Sequence, residues 1–379
     1  MKIVSIVGAR PQFIKAAPVS RALRESGHEE ILIHTGQHYD YGMSQVFFEE
    51  LGIPEPDVNL GVGSGSHGVQ TGQILMRLET VLLSEKPDRV IVFGDTNSTL
   101  AGALAACKLQ IPLAHVEAGL RSFNREMPEE HNRVLTDHCS QLLFCPTQTA
   151  VNNLANEGIT GGVSLVGDTM YDAVLQFGQI ARERSTILSD LSLKPKGYLL
   201  ATVHRAYNTD VPENLLNILS ALLELNEPVL FPVHPRTRQR IAQLNGVFGS
   251  GRSAGNVRLI EPVGYLDMLV LQENARVILT DSGGMQKEAF FFGVPCVTLR
   301  PETEWVETVE TGWNVIAGTD PDSIVQATRR SGRPGDRPPE VFGSGNAAAL
   351  IVAALNSNSD ESISPKQSAS LSLLNRGSG

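Results

Sequence analysis

The chain of 379 residues has few cysteines, few aromatic residues and no excess of positive charge. Its four cysteines, Cys107, Cys139, Cys145 and Cys296, form no CxxC pair, and Cys107 and Cys296 sit in apolar runs. Reduced, buried thiols in a cytosolic protein are therefore expected. Lysine and arginine number 31 against 41 aspartates and glutamates, for a net charge of -10. Nucleic-acid binders usually carry a basic excess, so that class is disfavoured. A small anionic ligand stays compatible, because a local basic pocket can sit in an acidic protein. No run approaches the ~18 apolar residues a membrane span needs. MKIVSIVGARPQ reaches Arg10 and a proline too soon for a signal peptide, so a cytoplasmic protein is expected. The turn after the first strand, GARPQF, does not carry the dinucleotide fingerprint GxGxxG.

What is present is a globular composition, 41% hydrophobic and 19% charged. Short apolar runs alternate with helical patterns. KIVSIVG (2–8), EILIHTG (30–36), RVIVFGD (89–95), LAHVEAG (113–119) and LLFCPT (142–147) read as buried parallel strands. The pattern restarts with YLLATVH (198–204), PVLFPVH (228–234), VRLIEPV (257–263), ARVILTD (275–281) and PCVTLR (295–300). The fold class is therefore α/β, two Rossmann-like doubly wound domains facing across a cleft at their strands' carboxyl ends. The expected boundaries are 1–171, 172–355 and a disordered, Ser/Asn/Gly-rich tail over 356–379. SGRPGDRPPE (331–340) reads as a Pro/Gly loop.

Polar residues gather at the strand ends. In GARPQFIK, Arg10 and Lys15 flank a helix N-terminus, a place suited to an anion. In TDSGGMQKEAFFFG a strand ends at Asp281, and Ser282-Gly283-Gly284 opens a helix whose glycines let a phosphate approach the backbone. Glu288, further along that helix, suits the two hydroxyls of a ribose. His204 and Arg205 end one strand of the second set, and His234 closes the next. The segment from Val92 to Arg133 is the densest in acids: Asp95, Glu117, Glu126, Glu129 and Glu130, beside His115 and His131. Carboxylates set close together are expected to raise one another's pKa, giving one acid and one base at neutral pH. Nothing in this cluster has a recognised metal-ligand spacing.

Taken together, GARPQFIKAAP, HGVQTGQIL, FGDTNSTLA, HVEAGLRS, MPEEHNR, VGDTMYDA, TVHRA, PVHPR, ILTDSGGMQKEA and GSGNAA resemble the non-hydrolysing UDP-N-acetylglucosamine 2-epimerase family. They run in one order from residue 1 to about 355. The resemblance implies the glycosyltransferase-B fold, a UDP-sugar substrate and a homodimer, with no cofactor, nucleic acid or membrane partner. By the same resemblance, Arg10, Lys15, His204, Ser282, Gly283 and Gly284 would hold the diphosphate and its surroundings. Glu288 would hold the ribose, and the backbone around Met268 would meet the uracil. Asp95, Glu117 and Glu129 would be the catalytic carboxylates, supported by His204 and Arg133, with acid and base unassigned among them.

Chemistry bears on this independently. The C2 proton of a hexosamine is not acidic. NAD oxidation would remedy that, but the turn from the first strand into its helix lacks the dinucleotide fingerprint. The other route lets UDP depart as the C2 proton is removed, which needs carboxylates near C2 and a cationic diphosphate site.

Three departures stand out. PETEWVE puts Trp305 where members acting on the plain sugar commonly carry arginine, making it a substrate-selectivity candidate or a packing residue. QHYDY (37–41) replaces the QHREM that forms part of a regulatory site in some bacterial members, and HRAYNTD replaces an HRREN-like stretch. These features resemble the branch acting on UDP-2,3-diacetamido-2,3-dideoxy-glucuronate. A glycosyltransferase or hydrolase on the same fold, and a non-catalytic UDP-sugar sensor, are further readings.

Overall fold

The computed structural model describes residues 1–37, 55–244 and 253–357. The QHYDY stretch from His38 on, and the tail beyond Ser357, lie outside them. Two seven-stranded sheets organise the chain. The first contains β1 (Lys2–Val7), β2 (Glu29–His34), β3 (Val58–Asn59), β4 (Arg89–Phe93), β5 (Leu113–Val116), β6 (Leu142–Cys145) and β7 (Val163–Leu165). Its order is β3-β2-β1-β4-β5-β6-β7, all parallel. The second contains β8 (Leu199–Thr202), β9 (Val229–Pro232), β10 (Ser253–Ala254), β11 (Val257–Ile260), β12 (Ile278–Thr280), β13 (Cys296–Thr298) and β14 (Asn314–Ile316). Its order is β10-β11-β9-β8-β12-β13-β14, parallel apart from the β10–β11 pair.

Each sheet reverses its winding once, between β1 and β4 in the first and between β8 and β12 in the second. At such a point the connections leave in opposite directions and open a crevice above the strand ends. Just beyond these strands lie Arg10, at the head of a helix, and Asp95, His204 and Ser282 in the loops. The doubly wound architecture expected from the sequence is therefore what the chain adopts.

The first set of helices comprises α1 (Arg10–Glu25), α2 (His67–Glu85), α3 (Asn97–Lys108), α4 (Pro128–Cys139), α5 (Gln148–Asn156), α6 (Thr169–Arg184) and the short α7 (Ile187–Asp190). The second set comprises α8 (Ala206–Thr209), α9 (Pro212–Glu224), α10 (Pro235–Gln243), α11 (Tyr265–Asn274), α12 (Gly283–Phe291), α13 (Val306–Glu310), α14 (Pro321–Arg330) and α15 (Ala347–Ser357). The strands read as near-continuous apolar runs because helices cover both faces. One core joins α1 to α6, α11 and α15, through Ile14, Ala17, Phe177, Leu269, Ile351 and Leu355. The closing helix thus returns to the first one. It runs through Ser357, so Asn356, read as the start of a tail, lies inside a helix. Cys107 corrects another expectation: it is exposed, since its apolar run forms α3 and the residue falls on that helix's outer face, whereas Cys145 and Cys296 are buried. All four thiols are free. No described helix is long and apolar enough to cross a membrane.

Candidate active site

The site is assembled from four strand ends. After β1, Gln12 fixes the turn into α1: its Oε1 accepts from the backbone N–H groups of Gly8 (2.8 Å) and Ala9 (3.0 Å). Its Nε2 donates to the Phe93 carbonyl at 2.6 Å. One buried amide therefore ties the β1 and β4 ends together. Lys15, one turn further along α1, donates to Glu117.

Glu117 follows β5 with φ +73°, a left-handed conformation unusual for a side chain larger than glycine. Its N–H bonds the Phe144 carbonyl at 3.1 Å, which helps hold the backbone there. Gly94, itself at φ +63°, lies beneath: a Cβ on it would stand 3.2 Å from Glu117 Oε2 and 3.4 Å from Lys15 Nζ. The second cation comes from the other half of the chain. Lys287 on α12 places Nζ 2.7 Å from Glu117 Oε1 and 2.6 Å from Asp168 Oδ2. Its ammonium also lies 3.9 Å from the ring centroid of Trp305. Burial alone would raise the Glu117 pKa, but the charges of Lys15 and Lys287 outweigh it and hold the carboxyl at about 2. This corrects the sequence expectation of mutual upward shifts. Glu117 has a cation in contact on each oxygen, and Coulomb attraction to a cation in contact exceeds repulsion from a more distant acid.

Asp95, just beyond β4, accepts from Arg133 Nη2 at 2.7 Å and Nε at 3.0 Å. Arg133 also donates to Glu130 at 2.9 Å. Glu130 is buried and takes the N–H groups of Ser122 and Phe123, each at 2.9 Å, so it orders the loop before α4. Glu129, in the first turn of the same helix, is half-buried and lies 4.0 Å from Arg205 of the second half. His115 is fully buried between Asp137 (2.6 Å) and the Gly94 carbonyl (2.7 Å), a structural place. Glu126 and His131 lie on the surface.

Across the cleft, Asp281 organises the β8 and β12 ends. Its carboxylate accepts the His204 N–H at 3.0 Å and the Arg205 N–H at 2.9 Å, and lies 3.3 Å from His204 Nδ1. The His204 pKa is lowered by burial, raised by Asp281, and lowered again by Arg205, His234 and Arg300, with a net fall. The His204 side chain stays 48% exposed at the cleft. His234 instead caps α10, accepting the Arg236 N–H at 3.3 Å.

Ser282 caps α12 as the sequence suggests, its Oγ accepting the Met285 N–H at 3.4 Å. Gly283 and Gly284 are the first residues of that helix. A Cβ on Gly283 would fall 2.3 Å from Glu304 Oε1 and 3.2 Å from Trp305 Nε1, so a side chain there would displace the Glu304 carboxylate. Glu288, buried in the same helix, accepts from Tyr265 Oη at 3.0 Å and Gln272 Nε2 at 2.7 Å. Burial pushes its pKa up despite those donors, and the charge of Arg10 at the head of α1 acts on it in the opposite sense. Met268 lies in the first turn of α11, beside Tyr265. Trp305 is 3% exposed and packs against Phe342, and its indole N–H has no hydrogen-bond partner among the described residues.

Three residues here escaped the sequence reading. Lys287 lies within TDSGGMQKEA beside residues that were singled out, and Asp168 lies within VGDTMYDA. Glu304, in PETEWVE, pairs with Arg300 at 2.7 Å. Burial would raise the Glu304 pKa, but Arg300 and Arg133 hold it at about 2.

Residues 21–356 match the sequence profile of the UDP-N-acetylglucosamine 2-epimerase family. The chain belongs to that family. A UDP-N-acetylglucosamine 2-epimerase homolog of Methanococcus maripaludis is 56% identical over 94% of this chain and 99% of its own. The UDP-2,3-diacetamido-2,3-dideoxy-D-glucuronate 2-epimerase of Pseudomonas aeruginosa is 51% identical over 93% of this chain and 98% of its own. Among solved structures, the family's Methanocaldococcus jannaschii UDP-GlcNAc 2-epimerase, in complex with UDP-GlcNAc and UDP, superposes with a TM-score of 0.87. It is 46% identical, over 94% of this chain and all of its own. The likeness therefore extends over both sheets of the glycosyltransferase-B arrangement.

Proposed function

We propose that this chain interconverts UDP-N-acetylglucosamine and UDP-N-acetylmannosamine by inverting C2, as a cytoplasmic homodimer supplying precursors of surface polysaccharides. The observation that carries the reading is the meeting of the Glu117 carboxylate with the helix headed by Ser282-Gly283-Gly284, through Lys287. A proton-moving group and an anion-binding helix end thus share one cleft. In this reading residues 1–171 carry the carboxylates and 172–355 the UDP site.

The reaction proceeds by departure and return. The C2–H electron pair becomes the second bond of C1=C2, the C1–O pair leaves with UDP, and the proton passes to a carboxylate. The resulting 2-acetamidoglucal is protonated at C2 on its other face, and a β-phosphate oxygen of UDP re-forms the bond to C1. Atoms and electrons balance with no redox partner. Arg10, Lys15, His204 and the Ser282-Gly283-Gly284 turn hold the leaving diphosphate. Glu288 takes the ribose hydroxyls, and the backbone at Met268 meets the uracil. Asp95, Glu117 and Glu129 move the proton, with Arg133 orienting Asp95.

Electrostatics adds a step. A carboxyl held at about 2 is ionised at neutral pH, so in the resting site Glu117 is no proton donor. When the substrate's diphosphate draws Lys15 to itself, Glu117 loses one of its two cations and becomes more basic. Substrate thus switches the carboxylate on as it binds.

A second substrate has support of its own. The 51% identical Pseudomonas aeruginosa relative bears the name of the diacetamido-glucuronate enzyme, and Trp305 departs from the pattern of the plain-sugar branch. Because the Trp305 ring is buried under Lys287, its influence on substrate choice runs through Lys287 and the Gly283 turn. Incubating the protein separately with both UDP-sugars, and resolving gluco from manno products by NMR, tests the reading. A manno product from the plain sugar supports the first substrate, and one from the uronate alone supports the second. Free sugar plus UDP from both would replace the epimerase by a hydrolase.

A further inference from the structure

We propose that Lys287 is a positioning residue that fixes the Glu117 carboxylate to the UDP-binding helix α12, so that nucleotide site and proton-moving site act as one rigid unit. The inference rests on the epimerase reading and goes beyond it by giving work to a side chain that this reading leaves without a role.

The argument starts from spacing. Gly283 and Lys287 are four residues apart on α12 and so lie on one face, one turn above the other. The helix end that receives the diphosphate therefore carries Lys287 directly behind it. The side chain is 1% exposed and spans to the first half of the chain, where its ammonium meets Glu117 and Asp168 at 2.7 and 2.6 Å. The third side of the ammonium is covered by the Trp305 ring at 3.9 Å. A buried lysine would ordinarily lose its proton. Here burial lowers the pKa, but Asp168 and Glu117 raise it further, so the charge stays.

Glu117 thus has a cation on each oxygen, and the two differ in kind. The Lys15 side chain is 12% exposed, whereas Lys287 is sealed. Lys15 is the one that a diphosphate can attract away, and Lys287 is the one that remains. A carboxylate held by Lys15 alone would lose its anchor at the moment of reaction. A carboxylate also held by Lys287 keeps its place while its basicity rises. The charged groups facing Lys287 come from every neighbouring element: Glu117 after β5, Asp168 at the head of α6, and Glu288 on its own helix. Lys15 of α1 faces the far side of Glu117.

Removing the lysine alone strands Asp168 in the interior, so the test uses a balanced variant, Lys287→Met with Asp168→Asn, beside Lys287→Arg. An asparagine at 168 still caps α6, where Asp168 Oδ1 accepts the Met170 N–H at 2.8 Å. For each protein, C2 deuterium exchange is followed from pH 4 to 9, and UDP affinity is measured by calorimetry. The inference expects three results: kcat/KM, level down to pH 4 in the unaltered enzyme because Glu117 is held at about 2, gains an acid limb inside the measured range in the double variant, a rise of about 2–3 pH units, kcat falls by about tenfold to a hundredfold, and UDP affinity stays within about threefold. Lys287→Arg keeps the level profile of the unaltered enzyme. A profile that stays level in a folded, UDP-binding double variant overturns the inference, as does a change confined to KM. If the double variant does not fold, Lys287→Arg alone decides: an acid limb appearing despite the retained charge overturns it, and a level profile with lowered kcat upholds it. Absence of exchange in the unaltered enzyme would instead sink the epimerase reading, leaving the two failures distinct.

Discussion

Asp95 Oδ2 lies 2.7 Å from Nη2 and 3.0 Å from Nε of Arg133, so one carboxylate oxygen takes two donors of a nearly buried guanidinium. The arginine thereby sets where the carboxylate stands at the end of β4. Asp95→Asn keeps the shape and removes the proton acceptor. Epimerisation should fall by about 10²–10⁴-fold, the usual worth of a positioned acid or base, while calorimetry still finds UDP bound. A variant that epimerises at the normal rate would remove Asp95 from the mechanism.

Arg133 is expected to matter for stability in a way Asp95 does not. Its side chain is 4% exposed and serves both Asp95 and Glu130, whereas the Asp95 side chain is 30% exposed. Arg133→Met leaves Glu130 buried without its cation and should cost about 3–5 kcal/mol in urea unfolding. Asp95→Asn should cost under about 1 kcal/mol. Equal losses would show that the pair is not asymmetric.

Gly283→Ala brings a methyl group to 2.3 Å from Glu304 Oε1, and the Glu304 carboxylate, paired with Arg300 at 2.7 Å, must shift to admit it. Overpacking of this kind costs about 1–3 kcal/mol, and the distortion falls on the helix end that receives the diphosphate. UDP affinity should drop at least tenfold. An unchanged affinity would place the diphosphate elsewhere.

The depressed carboxyls give a pH dependence of fixed sign. Burial would raise Glu304, but Arg300 and Arg133 hold it at about 2 against an ordinary value of 4.5. A carboxyl whose folded pKa lies below its unfolded one contributes stability that is fully present above the unfolded value and is lost as pH falls through the folded one. The urea midpoint should therefore decline as pH drops from about 4.5 toward 2. Glu117 adds to this decline, and Glu288, pushed up by burial, acts in the opposite sense. Glu304→Gln should be less stable than the unaltered chain at pH 7 and lose less on acidification. Parallel curves would show that Glu304 is not the depressed group.

Ten strands were legible because buried parallel strands read as apolar runs, and the candidate residues were legible because they follow those runs. The strands missed were Val58–Asn59, Val163–Leu165, Ser253–Ala254 and Asn314–Ile316, where two or three residues outside a longer apolar run carry no pattern. Cys107 misled because an apolar run on a helix still has an outer face. The Lys287–Glu117 contact could not be seen because 170 residues separate its partners. A single sequence gives each charge without its counter-charge, so the cluster from Val92 to Arg133 suggested acids raising one another. The fold supplied Lys15 and Lys287 from other elements, and they reversed the sign at Glu117.

The most direct test of the account is isotope incorporation at C2. The purified protein is incubated in D2O with UDP-N-acetylglucosamine, without added NAD, and the sugar signals are followed by NMR. The account predicts one deuterium at C2 in both the gluco and the manno form, with UDP still attached at equilibrium. Manno product that retains the original C2 proton, or UDP-sugar that never exchanges while UDP binds, would contradict it.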